Sequence, residues 1–359
     1  MSLPFLRTLQ GDRFFQLLIL VGIGLSFFVP FAPKSWPAAI DWHTIITLSG
    51  LMLLTKGVEL SGYFDVLGRK MVRRFATERR LAMFMVLAAA LLSTFLTNDV
   101  ALFIVVPLTI TLKRLCEIPV NRLIIFEALA VNAGSLLTPI GNPQNILIWG
   151  RSGLSFAGFI AQMAPLAGAM MLTLLLLCWC RFPGKALQYH TGVQTPEWKP
   201  RLVWSCLGLY IVFLTALELK QELWGLVIVA VGFALLLVFM AMFIDVYLLT
   251  QLPALQGVLG NVSHLSEPGL WLTAVGLSQV ISNVPSTILL LNYVPPSLLL
   301  AWAVNVGGFG LLPGSLANLI ALRMANDRRI WWRFHLYSIP MLLWAALVGY
   351  VLLVMIPAW

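Results

Sequence analysis

Polar side chains able to hold an ion recur in two matching sets along an otherwise apolar chain. Val131-Asn132-Ala133-Gly134 is followed after six residues by Gly141, and after three more by Asn145. Val304-Asn305-Val306-Gly307 is followed at the same spacings by Gly314 and Asn318, 173 residues further on. Upstream of each lies Ser-x4-Asn, at Ser93/Asn98 and at Ser278/Asn283. Asn amides and loop carbonyls suit a small cation, whereas free N–H groups at helix starts suit an anion. A single break of this kind in a membrane helix is usually only a kink. Two sets in the same order are what a transporter with two internal repeats contains.

The elements that carry these residues must cross a bilayer. The chain is 60% hydrophobic and 10% charged, with mean hydropathy +0.92, and apolar runs of spanning length recur throughout. These features point to an all-α polytopic membrane protein with about 9–11 membrane segments and no sizeable soluble domain. The run Phe14–Phe31 follows Arg7 and Arg13 but precedes no small-x-small cleavage site, so it reads as a retained first helix. A net charge of +9 would suggest nucleic acid in a soluble protein; here the basic residues occupy short loops, as the positive-inside bias requires. Cys116, Cys178, Cys180 and Cys206 lie in or next to predicted spans with no framework spacing; Cys178-x-Cys180 could bind a soft metal or arsenical, but cysteine is also a common apolar residue of such segments.

Charge placement orients the spans. Arg69, Lys70, Arg73, Arg74, Arg79 and Arg80 form the densest basic cluster, which belongs in the cytoplasm together with the N-terminus. Thr44–Leu67 then returns to the inside. Leu81–Leu112, interrupted at Thr97-Asn98-Asp99, is expected to be a re-entrant hairpin, because Lys113, Arg114 and Arg122 follow it. Leu123–Trp149, broken near Gly141, crosses outward; Phe159–Cys178 returns and Leu202–Leu217 goes out. Ser297–Leu322 runs back to Arg323, Arg328, Arg329 and Arg333, and Leu336–Ile356 is the last helix. Nineteen of the 23 Lys and Arg lie inside under this topology, the exceptions being Lys34, Lys56, Arg151 and Lys220.

Residues Leu223–Leu249 do not fit. Their 27 residues, apolar apart from Asp245, can cross ~30 Å once but not twice. One crossing would put the Arg323–Arg333 cluster outside. A short loop and part of a helix are therefore expected to be absent near 235–238. With that loop restored, residues 1–180 form one repeat, 181–222 a cytoplasmic loop and connector, and 223–359 a second repeat of inverted direction. Each repeat holds a re-entrant hairpin and a broken helix.

Unpaired backbone groups in hydrocarbon cost several kcal/mol each, so a break must line a site or be buried in protein. Asn142 before Pro143 reads as an N-cap, as does Ser315 at the aligned position. Asn98 and Asn283 are expected to cap the returning arms of the two hairpins. Four helix N-termini, each with about half a positive charge, would then meet near the midplane. Asp99, the only acid in either tip, can carry a proton or Na+, or simply favour its helix N-terminus. Lys56 and Glu59 read as an i,i+3 pair, Asp65 as interfacial, and Glu127 as a first-turn acid near the cytoplasmic face. Asp245 is left without an assigned depth, while His264 and Glu267 read as solvated and most Trp residues as interfacial.

At these motifs the chain resembles the ion transporter superfamily, and within it the citrate/arsenite/sodium–proton antiporter permeases. The matching runs are Ser93 to Asp99 (STFLTND), Gly134 to Asn145 (GSLLTPIGNPQN), Ser278 to Pro285 (SQVISNVP) and Gly307 to Asn318 (GGFGLLPGSLAN). The resemblance implies two inverted repeats, hairpins with Asn at their tips, and substrate and coupling ion held between the hairpins and the unwound loops. Asn98 and Asn283 would then be tip ligands, including for Na+. Neither tip repeats the Ser-Asn-Thr of the dicarboxylate branch. Antiporter relatives place Asp before Asn at the tip, whereas Asp99 follows Asn98.

The candidate binding residues in the first half are Ser93, Thr97, Asn98, Asp99, Asn132, Gly134, Thr138, Gly141, Asn142 and Asn145. In the second half they are Ser278, Ser282, Asn283, Ser286, Asn305, Gly307, Gly314, Ser315 and Asn318. The expected activity is secondary transport of a small inorganic or organic anion across an inner membrane, coupled to Na+ or H+. A Na+/H+ antiporter using Asp99 is the alternative, and a passive channel would show no paired breaks. The chain carries no HExxH, GxSxG or P-loop pattern, so neither an enzyme nor a cofactor is expected. Lipid bilayer, anion and coupling ion are the expected partners; a homodimer is compatible with this, and nucleic acid is not expected.

Overall fold

The computed structural model describes residues 12–193, 197–217 and 233–356. Apart from two isolated bridges these residues form helices and turns, as a chain must when most of its backbone pairs within its own segment. α1 (Arg13–Leu25), α2 (Trp42–Leu60) and α3 (Tyr63–Arg74) come first. α4 (Glu78–Phe95), α5 (Asn98–Leu115), α6 (Val120–Ser135), α7 (Pro143–Ser152) and α8 (Phe156–Arg181) follow. Next are α9 (Pro200–Leu217), α10 (Phe233–Thr250), α11 (Pro253–Gly260) and α12 (Glu267–Ile281). The last are α13 (Asn283–Leu290), α14 (Leu298–Val306), α15 (Leu316–Ala325) and α16 (Arg329–Met355).

The polar breaks decide the lengths. Among the described residues, α8 and α16 are long and apolar enough to cross a bilayer alone, and a bent pair, Leu236–Thr250 with Pro253–His264 at 67°, can make a third span. Other apolar runs are cut into pieces such as Leu316–Ala325. The span expected at Thr44–Leu67 is itself divided: Gly62, with φ 79°, separates α2 from α3, a left-handed conformation that favours glycine. The last helix begins seven residues earlier than expected, at Arg329.

The chain forms two compact units, Met1–Ser61 with Lys199–Asn261, and Gly62–Trp198 with Val262–Trp359. Each draws on both halves of the sequence, so compact unit and sequence repeat are different divisions. In the first unit α1 packs on α10 and α9 packs on α2. Small residues permit the approach: Gly22 faces the Asp245 carboxylate and Gly57 faces the Cys206 sulfur. α10 runs unbroken through 235–238, where the missing loop is expected; residues 223–232 of that apolar run lie outside the described residues.

In the second unit α4 and α5 form a hairpin whose open end is stitched by residues 183–190. Glu78 N–H donates to the Lys185 carbonyl (3.1 Å) and Leu187 N–H to Ala76 (3.1 Å). On the other arm Glu117 N–H donates to Gln188 (2.9 Å) and His190 N–H to Leu115 (3.0 Å). Arg79, Arg80, Lys113 and Arg114 therefore share one end, the arrangement read from charge alone. The later basic cluster joins them, because Asn121 Nδ2 at the start of α6 donates to Asp327 Oδ2 after α15 (2.6 Å). That bond and the Arg329 N–H hold the Asp327 carboxyl below its usual range.

Close helix approach in this unit depends on paired small residues. A β-carbon on Gly134 would strike the Ala90 carbonyl and Ser93 Oγ, and one on Gly307 would strike the Ser278 side chain. Gly168 in α8 has open space around it. Gly134→Ala is therefore expected to destabilise the protein by about 1–3 kcal/mol through overpacking against backbone, and Gly168→Ala to be near neutral. Denaturation midpoints of the two purified variants check this; equal midpoints would contradict it.

Candidate functional site

Capping chemistry ends the breaks. Asn142 Oδ1 accepts the Asn145 N–H (2.9 Å), with Pro143 opening α7. Ser315 Oγ accepts the Ala317 N–H (3.3 Å) at the start of α15. These two caps fall where the sequence put them. The hairpin tips do not: the caps are Thr97 and Ser282, and Asn98 and Asn283 are the first helical residues. At the first tip the Asn98 N–H is already held by the Gly141 carbonyl (3.1 Å), and Thr97 Oγ1 accepts the Val100 N–H (3.5 Å). At the second, Ser282 reverses the chain alone at φ 74°, ψ 157°, with no side-chain cap. A non-glycine residue held there stores on the order of 1–3 kcal/mol of strain.

The two breaks are bonded to each other reciprocally. Asn132 Nδ2, on α6, donates to Asn318 Oδ1 (2.8 Å), and Asn132 Oδ1 accepts from Ser315 Oγ (3.0 Å). Asn305 Nδ2, on α14, donates to Asn145 Oδ1 (2.7 Å), and Asn305 Oδ1 accepts from Asn142 Nδ2 (3.0 Å). Each V-N-x-G asparagine thus reaches into the other repeat's break. Within each break the aligned asparagine holds an aligned carbonyl, Asn145 Nδ2 to Ser135 (3.4 Å) and Asn318 Nδ2 to Gly308 (2.9 Å). All four asparagines are buried. α6 and α15 run antiparallel, since Asn132 meets Asn318 near one end and Asn121 meets Asp327 at the other.

Each hairpin is tied to its own break at matching positions. Thr94 Oγ1 donates to the Gly134 carbonyl (3.1 Å) and the Thr94 carbonyl accepts from Thr138 Oγ1 (2.6 Å). Gln279 Nε2 donates to the Gly307 carbonyl (2.7 Å) and Gln279 Oε1 accepts the Leu311 N–H (2.8 Å). Thr94, Ser135, Gln144, Gln279 and Gly308 were not singled out from the sequence. Thr94 and Gln279 each directly follow the serine of Ser-x4-Asn, and extending the register by one residue would have found them. Gln144 Nε2 also donates to Asn305 Oδ1 (3.3 Å); its aligned position holds Ala317, so no repeat signal exists for it.

The remaining candidates divide into packing and free groups. Ser93 and Ser278 donate into their own helices, to Ala90 and Ala274 (both 2.8 Å), and face the glycines of the broken helices. Ser286 donates to the Ser282 carbonyl (2.7 Å). Gly141 and Gly314 admit no β-carbon, which would strike the carbonyls of Ser135 and Gly307 respectively. Asn98 Oδ1 accepts the Asp99 N–H (3.0 Å). The Asn283 side chain is buried and makes no hydrogen bond among the described residues; its Nδ2 lies 3.2 Å from where a β-carbon of Gly308 would stand. Asp99 Oδ1 is buried without a hydrogen-bond partner.

These contacts bring the starts of α5, α7, α13 and α15 together. Peptide N–H groups there carry the positive ends of four helix dipoles, so the place suits an anion, with the tip amides and Asp99 available to a cation.

Other charged residues fall as follows. Lys56 and Glu59 pair at 3.0 Å and are about half exposed. Asp65 is buried in the protein and bonds Arg69, one turn on in α3, at 2.7 Å. Glu127 is not a first-turn acid: it sits two turns into α6, fully buried, accepting from Thr109 Oγ1 (2.5 Å). His264 and Glu267 are exposed. Trp302 is core rather than interfacial, its Nε1 donating to the Gln162 carbonyl (3.2 Å).

Residues 16–297 match the family described as citrate transporter. The chain is 94% identical to the inner membrane protein YbiR of Escherichia coli (strain K12), over all of both chains. That alignment runs over 371 positions, twelve more than this chain has residues. An uncharacterized transporter of Methanocaldococcus jannaschii is 31% identical over 87% of this chain and 89% of its own length. The P protein of Homo sapiens is 34% identical over 34% of this chain and 16% of its own.

If the reciprocal bonds hold the breaks, Asn132→Ala and Asn305→Ala each cost about 1–3 kcal/mol by stranding buried polar partners. Asn132→Ala combined with Asn318→Ala should then cost less than the two single changes added together. Denaturation midpoints of the wild type, the three single variants and the double variant test this, and strict additivity would contradict the cross-link.

Proposed function

The chain belongs to the citrate transporter family, and on that premise we propose a secondary active transporter of the inner membrane that moves a small anion coupled to Na+ or H+. The carrying observation is the reciprocal asparagine network, which gathers four helix N-termini around two unwound segments. Buried backbone is left non-helical where it lines a site. The antiparallel run of α6 and α15 supports two repeats of inverted direction. The basic ends gathered in the second unit support a cytoplasmic placement for that end, and the printed name of the Escherichia coli relative supports the inner membrane.

The tips are the ligands and the breaks are their support. Asn98 and Asn283 open α5 and α13 with amide capacity unspent, whereas Asn132, Asn145, Asn305 and Asn318 spend theirs on one another. The family description does not make citrate the cargo: Thr97-Asn98-Asp99 and Ser282-Asn283-Val284 depart from the dicarboxylate tip. Proton antiport through Asp99 is the second reading, favoured by its buried oxygen without a hydrogen-bond partner. We also read residues 223–249 as lacking a loop, and the twelve additional aligned positions support that reading.

Uptake into proteoliposomes against a panel of anions, with imposed Na+ or H+ gradients, tests the proposal. Flux should follow one gradient, and flux indifferent to both would remove coupled transport. Asn98→Ala and Asn283→Ala should each lower uptake by about tenfold, the worth of one hydrogen bond to a charged ligand, in a folded protein. Wild-type rates in both would refute the tip assignment. Asp99→Asn should abolish only proton-driven flux if the second reading holds.

A further inference from the structure

The two helices that, among the described residues, are long enough to cross a bilayer unaided, α8 and α16, flank with the start of α6 a cavity of about 1000 Å³. Its two ends differ in chemistry. Lys113, Arg122, Arg181 and Arg333 line one end, against the single acid Asp327, which already accepts from Asn121 at 2.6 Å. Among the described residues no carboxylate lies within 4 Å of any of these four cations. The other end is mostly apolar, lined by Leu177 on α8 and by Pro340, Met341 and Trp344 on α16, and its one polar pair is closed on itself, Trp344 Nε1 donating to Thr173 Oγ1 (2.9 Å).

The cationic end is built, not incidental. Arg122 Nη1 donates to the Arg181 carbonyl (2.7 Å), and Arg181 Nε donates to the Tyr337 hydroxyl (3.0 Å) with its guanidinium 5.3 Å from that ring's centroid. Each guanidinium has five N–H donors, so most remain for a ligand. Along α16 the lining passes from Arg333 to Trp344, roughly 16 Å at 1.5 Å per residue. That is charge at one end and grease along a membrane-crossing helix at the other.

We propose that this cavity binds an anionic phospholipid, its phosphate among Lys113, Arg122, Arg181 and Arg333 and an acyl chain between α8 and α16. A soluble anion would have no use for the apolar extension, and a neutral lipid none for four cations that face one carboxylate, Asp327, on which Arg333 already acts. The site is separate from the transport site: Arg122 precedes Asn132 by ten residues of α6, about 15 Å. The assignment needs only that these helices stand in a bilayer, whatever the cargo is.

Native mass spectrometry of the purified full chain, titrated with phosphatidylglycerol or phosphatidylcholine of the same acyl chains, tests it. Phosphatidylglycerol should bind more tightly. Changing Lys113→Gln and Arg333→Gln together, both exposed side chains, should weaken that binding about tenfold and leave phosphatidylcholine unchanged. Glycerol phosphate, the headgroup without chains, should compete poorly. Equal binding of the two lipids, or phosphatidylglycerol binding unmoved in the double variant, would overturn the site. Competition by glycerol phosphate as effective as the lipid would overturn the lipid assignment in favour of a soluble anion.

Discussion

Peptide groups in the unwound segments of this protein have no helical partners, and where they are buried they must find partners within the protein. The structure answers this with side chains from the opposite repeat. Asn132 enters the break that precedes α15 and Asn305 the break that precedes α7, each using both ends of its amide. A break held in this way cannot keep its shape unless the other half of the chain is in place. Glycine at 134 and 307 lets the hairpins come close enough for Thr94 and Gln279 to complete the arrangement.

That constraint separates the polar residues into two kinds. Those in the breaks are saturated by one another and have little left for a ligand. Those at the tips are not: Asn283 is buried with its amide unused, and Asp99 has an oxygen without a hydrogen-bond partner. Strain is also concentrated there, at Ser282 with φ 74°. A rigid frame with under-satisfied, strained tips is the distribution expected when binding, not stability, determines what the tips look like.

Much of this was legible in the residues. The doubled V-N-x-G pattern marks both breaks, and Asn142-Pro143 and Ser315 mark their ends because capping is a local interaction. The hairpin at 81–112 followed from basic residues at both of its ends. What failed was non-local. Asn98 and Asn283 look like caps until the Gly141 carbonyl takes the Asn98 N–H, a bond between residues 43 apart. Glu127 looks interfacial by its place in sequence, yet Thr109 from a neighbouring helix holds it in the core. The crossing of asparagines between breaks is likewise invisible, since alignment pairs Asn132 with Asn305 and the structure pairs Asn132 with Asn318. Basic loop residues pointed to a shared end of the helices, but not to the cavity that four basic residues line there.

We propose that the two hairpin tips, with Asn98 and Asn283, border one and the same binding place. With Cys116, Cys178, Cys180 and Cys206 replaced, cysteine is placed at 96 or at 284, beside the buried tip asparagines on positions that are not themselves buried, and its rate of thiol labelling is measured with and without the anion that the uptake panel identifies. Labelling should slow at both positions at the same anion concentration, with no change at position 264 on the exposed turn before α12. Protection at neither tip, or at one tip alone, would contradict it.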